Sequence, residues 1–306
     1  MKNPNIRRSL EKCVICPRAC GADRLSGEKG LCGAADSVEV YAARLHFGEE
    51  PPISGTKGSG TVFFNHCSLR CVYCQNYRFS QLEGGTRLTV KELAGLMLSL
   101  ERKEAHNINF VTPTHYAPQV AGAVIEARSK GLRIPIVYNT SGYEKPETLH
   151  SLKGLVDIYL TDMRYGRDEY ALKYSSCPDY TKKSREAVEE MHRQVGTLRL
   201  SDAGLAEKGL IVRHLILPND VACSEEVFRF IAERISRHTY ISLMSQYYPA
   251  HRAGEYPELA RKITRKEYDS AAQLLYKYGL TNGWVQEYAG TFVDSGFAGT
   301  HIEPGF

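Results

Sequence analysis

Cys67, Cys71 and Cys74 fall in the stretch "NHCSLRCVYCQNY", with three and then two residues between them. Thiols this closely spaced in a chain without an export-like start read as metal ligands rather than as half of a disulfide framework. Three thiolates on one loop can hold three irons of a cubane cluster and leave the fourth iron open to a ligand that is not protein. A ferredoxin-type cluster uses four cysteines and leaves no such position. A closed zinc site also wants four ligands, and here the adjacent His66 would have to be the fourth.

A second set, Cys13, Cys16, Cys20 and Cys32, reads CxxCxxxCx11C. Four ligands of one kind in a short segment fit either a closed zinc site or a second iron–sulfur cluster, and either would staple the segment. Cys177 and Cys223 stand alone. Cys223, just before an expected helix, reads as buried and inert, and Cys177 in "YSSCPDY" is a candidate substrate contact.

The chain has 306 residues, 42% hydrophobic and 24% charged, with a net charge of +4. That is the composition of a soluble globular protein. No apolar run approaches the ~20 residues of a membrane span, and the polar start "MKNPNIRRSLEK" has no apolar segment behind it, so a cytoplasmic location is expected. The charge is too small to call for nucleic acid, which draws a strongly basic patch. It is compatible with an acidic small molecule or peptide.

Six short runs rich in β-branched and aromatic residues, "TVFFNH", "NINFVT", "IPIVYNT", "VDIYLTD", "LIVRHLIL" and "YISLMS", each precede a stretch that can be helical. This is the pattern of βαβ units around a parallel sheet, and six units predict a partial (β/α)6 barrel of the α/β class. Thr89 with Glu92 and Thr264 with Glu267 have capping-box spacing and mark two helix starts. Residues 1–57 read as a small Cys-rich, metal-binding extension with one extended run, "VEVYAARLHF". Residues 58–282 are the barrel, and 283–306 form a glycine-rich tail with the only tryptophan, Trp284. The three-cysteine stretch follows the first strand of the barrel, at the end where such barrels carry their active sites.

"CSLRCVYC" resembles the CxxxCxΦC motif of the radical SAM superfamily, with Tyr73 as the aromatic residue before the third cysteine. Within it, residues 60–282 most resemble activating enzymes of pyruvate formate-lyase type. The resemblance implies a [4Fe-4S] cluster on Cys67, Cys71 and Cys74 whose open iron binds S-adenosylmethionine. Reductive cleavage would then give methionine and a 5′-deoxyadenosyl radical that abstracts hydrogen from a substrate.

Further positions carry over from the same likeness. Where the family has a GGE motif, this chain has "VTPTHY" with Thr112, Thr114 and no glutamate. "YNTSGY" resembles the family's TNG turn and offers Asn139, Thr140 and Ser141 to the cofactor, while Asp162 and Arg164 in "LTDMRYG" match an Asp and Lys pair. Arg213 resembles the arginine beside the cofactor's carboxylate, a group suited to bidentate donation. His251 resembles a histidine beside the adenine, while His214 points to the opposite face and reads as structural.

The expected activity is that of a radical SAM oxidoreductase, an activase for a glycyl-radical protein or a catalyst acting on a small molecule or peptide. A flavodoxin or ferredoxin would supply the electron. An iron–sulfur electron carrier is the reading from a different class.

Overall fold

Each of the six apolar runs becomes a strand, and the six lie parallel and adjacent in one sheet. The computed structural model describes residues 4–82 and 84–288. Its strands are β1 (Val38–His46), β2 (Ser59–Phe64), β3 (Thr86–Leu88), β4 (Ile108–Val111), β5 (Ile136–Thr140), β6 (Ile158–Asp162), β7 (Arg199–Leu200), β8 (Ala206–Leu215), β9 (Tyr240–Met244) and β10 (Gly283–Val285). The sheet order is β10-β9-β8-β6-β5-β4-β2-β1-β3. From β2 to β10 all neighbours are parallel, whereas β1 pairs antiparallel with β2 and β3 with β1.

The helices are α1 (Pro4–Glu11), α2 (Pro51–Ser54), α3 (Tyr77–Gln81), α4 (Val90–Arg102), α5 (Ala117–Ser129), α6 (Pro146–Leu152), α7 (Asp168–Ser175), α8 (Tyr180–Val195), α9 (Ser224–Phe230) and α10 (Arg265–Tyr278). Both expected capping boxes form. Thr89 caps α4 with Glu92 reaching back, and Thr264 does the same for α10 with Glu267. The fold is α/β as expected, and the Cys-rich segment precedes the parallel core.

Alternation along each strand sorts side chains into two layers. Val62 and Phe64, Ile108 and Phe110, and Leu210 and Val212 face the helices and are fully buried. The other face carries Asn109, Asn139, Asp162, Arg213 and Ser242, all buried or nearly so, above an apolar floor of Val137, Ile158, Leu160 and Ile211.

Two findings qualify the expected layout. The run "VEVYAARLHF" is not confined to the Cys-rich segment, because β1 joins the main sheet through β2. Residues 47–58 then plug the N-terminal end of the parallel core. Ile53 packs into the floor, its carbonyl accepts from Asn107 Nδ2 at 2.7 Å, and Glu49 reaches the polar layer above. At the other edge, Gly283–Val285, inside the glycine-rich tail, adds a short parallel strand on β9, and the tail beyond residue 288 lies outside the described residues.

Candidate active site

The cysteine loop leaves the C-terminal end of β2 under backbone strain. His66 (φ 74°), Arg70 (φ 63°) and, at the end of β4, Thr112 (φ 58°) are non-glycine residues in the left-handed region. Such conformations persist where the surroundings over-determine them, and they cluster at functional sites. The surroundings here are explicit. Val72 N donates to Tyr174 O, Gln81 Nε2 to Cys71 O and Gln75 Nε2 to Gln246 O, tying the loop to α7, to α3 and to the segment after β9.

The sulfurs have donors of their own. Ser175 Oγ donates to Cys71 Sγ at 2.9 Å, Leu69 N to Cys67 Sγ at 3.4 Å, and Cys74 Sγ lies 3.2 Å from Ser80 Oγ. Arg164 Nη1 stands 3.8 Å from Cys71 Sγ. Burial raises the Cys67 thiol and pushes Cys74 up to about 12, so these donors do not by themselves outweigh it; around a bound cluster they would tune what the sulfurs hold.

Cys67, Cys71 and Cys74 line one cleft with about 510 Å³ of empty space. Of the other expected residues, Thr112, Asn139, Thr140, Ser141, Asp162, Arg164 and Arg213 line the same cleft, at the C-terminal ends of β4, β5, β6 and β8. Register explains their meeting: Asp162 pairs with Arg213 across β6 and β8, so both side chains leave the sheet on one face. Arg213 Nε donates to Asp162 Oδ1 at 2.8 Å, Nη2 to Asn139 Oδ1 at 2.6 Å, and Nη1 lies 3.4 Å from Glu49 Oε2. Arg164 Nη2 donates to Asp162 Oδ2 at 2.5 Å. Burial alone would raise the Asp162 carboxyl, but Arg213 and Arg164 outweigh it and hold it below the usual range. Burial raises Glu49, against the pull of Arg213.

The side chains lining this cleft fit a thiolate-held cluster with a polar ligand beside it. The donor set is three thiols on one strained loop. Two buried polar atoms on the walls, Ser141 Oγ and Arg164 Nε, have no hydrogen-bond partner, as a wall shaped for a polar ligand would leave them. Among the described residues no three His, Cys, Asp or Glu side chains are grouped so as to hold a single metal ion. In a cubane each cysteine binds a different iron, so its ligands need not meet at one point.

Three expected residues do not line the cleft. The Tyr73 ring is buried edge-on against Tyr165 and Tyr247, at 6.3 and 6.0 Å. Thr114 Oγ1 donates to Glu144 Oε1 at 2.5 Å, and exposed His251 stacks on Tyr77 at 4.8 Å. His66 Nε2 is engaged by Glu39 at 3.1 Å, and His214 is buried between Met163 O and Ser224 Oγ. Cys177 and Cys223 are both buried, and Cys177 Sγ accepts from Arg18 Nη2 at 3.2 Å.

Sequence reasoning missed Glu49 and Glu144. Thr140 Oγ1 also donates to Glu144 Oε1, while Oε2 has no partner. Burial pushes Glu144 up to about 7 although both threonines pull it down.

Of the four N-terminal cysteines, Cys20 and Cys32 converge, while no three of them are grouped to hold a single metal ion. Cys13 N donates to Ala22 O and Gly21 N to Cys13 O, folding residues 13–22 into a knuckle. A Cβ on Gly30 would lie 3.3 Å from Cys20 Sγ and 3.4 Å from Cys32 Sγ, so these two thiols converge over one glycine.

The sequence profile of the radical SAM superfamily matches residues 61–201, the stretch from β2 to β7 that carries the three-cysteine loop. An uncharacterized protein of Methanocaldococcus jannaschii is 30% identical over 282 residues, covering 89% of this chain and 76% of that one. This chain belongs to the radical SAM superfamily. It is accordingly an enzyme that cleaves S-adenosylmethionine at an iron–sulfur cluster, and Cys67, Cys71 and Cys74 lie within the matched stretch. Among solved structures it is similar to methylornithine synthase (PylB), at 14% identity and a TM-score of 0.46 over 71% of this chain and 62% of that one. It is also similar to the FeFe-hydrogenase maturase HydG from Carboxydothermus hydrogenoformans, at 14% identity and a TM-score of 0.49 over 72% of this chain and 50% of that one. The match thus spans less than two thirds of either structure.

Proposed function

We propose that this radical SAM enzyme abstracts hydrogen from a polypeptide substrate, acting as an activase on the glycine of a glycyl-radical protein. The observation that carries this reading is that the sheet does not close: β3 and β10 are its two ends, and they do not pair with each other. The cleft lined by Cys67, Cys71 and Cys74 lies at the C-terminal ends of the strands of this open sheet, so a bulky substrate can approach it from the unclosed side.

Cys67, Cys71 and Cys74 would hold a [4Fe-4S] cluster. Asn139, Ser141 and Arg164 would orient S-adenosylmethionine, and Asp162 with Arg213 would keep that wall rigid. Bound there, the two groups supply one-electron cleavage of a sulfonium and a hydrogen-abstracting species. Thr112 stands at the same end of the cleft, with Tyr73, Thr114 and His251 supporting its surroundings. A low-potential carrier such as flavodoxin or ferredoxin gives the electron, and the reaction runs in the cytoplasm. Cys13, Cys16, Cys20 and Cys32 hold a second metal group, an iron–sulfur cluster or zinc.

The test uses anaerobically loaded protein with dithionite, S-adenosylmethionine and candidate glycyl-radical proteins carrying α-deuterated glycine. Deuterium in the released 5′-deoxyadenosine, with a glycyl doublet in the EPR spectrum, is the expected result. 5′-Deoxyadenosine that forms without deuterium transfer from any such protein overturns the activase reading.

A further inference from the structure

The N-terminal cysteine segment grips the three-cysteine loop at two points. Arg18, between Cys16 and Cys20, donates from Nε to Ser68 O at 2.9 Å and from Nη2 to Leu69 O at 3.1 Å, the carbonyls just after Cys67. The same guanidinium binds Ser175 O and Cys177 Sγ, and so reaches the segment whose Ser175 Oγ donates to Cys71. Gly33, next to Cys32, presses on His66, the residue before Cys67. A Cβ at Gly33 would stand 2.8 Å from His66 Nδ1, and its φ of +96° already demands glycine.

A separate observation concerns charge. Arg24 is fully buried, and its hydrogen bonds go to Ala35 O, to His115 O at 2.6 Å and, at 3.9 Å, to Cys13 Sγ. Among the described residues no carboxylate pairs with it. A buried cation without a counter-charge is costly. A metal group carried by four thiolates is anionic and would supply that counter-charge at Cys13.

We propose that Cys13, Cys16, Cys20 and Cys32 hold an anionic iron–sulfur cluster, whose ligands bind separate irons, balanced by buried Arg24, and that Arg18 and Gly33 transmit its occupancy to the loop of Cys67, Cys71 and Cys74. The inference rests on the second metal group proposed above. Arg18 is a positioning residue: it touches backbone carbonyls and Cys177, and fixes where the cysteines of the cleft stand. Loading at the first site thereby conditions the second.

Full-length protein is loaded anaerobically with iron and sulfide, or with zinc, and assayed for metal, acid-labile sulfide and amide exchange at residues 66–74. The readout needs no turnover, so it stays informative whatever the substrate proves to be. Acid-labile sulfide beyond the cluster on Cys67, Cys71 and Cys74 is the expected result, and zinc without that extra sulfide overturns the proposal. In C16S, exchange at 66–74 should quicken by about tenfold or more, the factor expected from losing a hydrogen bond to a charged donor. R18Q should keep the N-terminal metal yet show the same faster exchange. Absence of any N-terminal metal, or wild-type exchange at 66–74 in R18Q, overturns the proposal.

Discussion

Arg213 and Asp162 sit opposite each other on adjacent parallel strands and form an ion pair at 2.8 Å, buried beneath the cysteine loop. Removing one partner strands the other charge. Asp162→Asn leaves Arg213 with Glu49 and Glu50 as counter-charges and removes the carboxylate that Arg164 pairs with. It should cost about 3 kcal/mol or more in stability. A urea midpoint within error of the wild type would contradict the role given to this pair.

Glu144 makes stability pH-dependent in a defined direction. Its folded pKa, raised from 4.5 to about 7, means the folded state holds the proton more tightly than the unfolded chain. The contribution is therefore full below pH 4.5 and is lost as pH rises through 7, by about 3 kcal/mol. Asp162 acts oppositely: its depressed pKa stabilises above pH 3.8 and is lost only at lower pH. Glu144→Gln should melt higher than the wild type at pH 8, with the difference closing toward pH 5. Identical melting curves across that range would remove Glu144 as the cause.

Gly142 turns the chain after β5 with φ +76°, and a Cβ there would stand 2.4 Å from Asp162 O. Gly142→Ala should destabilise by about 1–3 kcal/mol through strain and displace the Ser141 wall of the cleft. Thermal denaturation with a titration of S-adenosylmethionine checks both effects; an unchanged melting temperature and unchanged affinity would show that the turn tolerates the methyl group.

Much of this was legible in the chain because the physics is local. Strands buried on both faces must be apolar runs, so six were visible, and capping boxes at Thr89 and Thr264 are written in four residues each. The cysteine motif is likewise contiguous. What stayed hidden depends on contacts between distant residues. Arg18 meets Ser68 and Ser176 across 50 and 158 residues, and nothing in "CPRAC" announces it. Glu49 lies beside a Pro-Pro turn that read as part of a separate segment, yet it caps the polar layer of the core. β10 is three residues in a glycine-rich stretch, too short for alternation to show.

Cleavage in this cleft requires an iron that no cysteine binds and that S-adenosylmethionine occupies. Mössbauer spectroscopy of iron-57-loaded, oxygen-free protein with and without S-adenosylmethionine reads this directly, with a C13S/C16S background separating the N-terminal site. The predicted result is one iron subsite that changes its parameters on adding S-adenosylmethionine, and loss of that response in C71A. A spectrum indifferent to S-adenosylmethionine, or zinc alone on Cys67, Cys71 and Cys74, would contradict it.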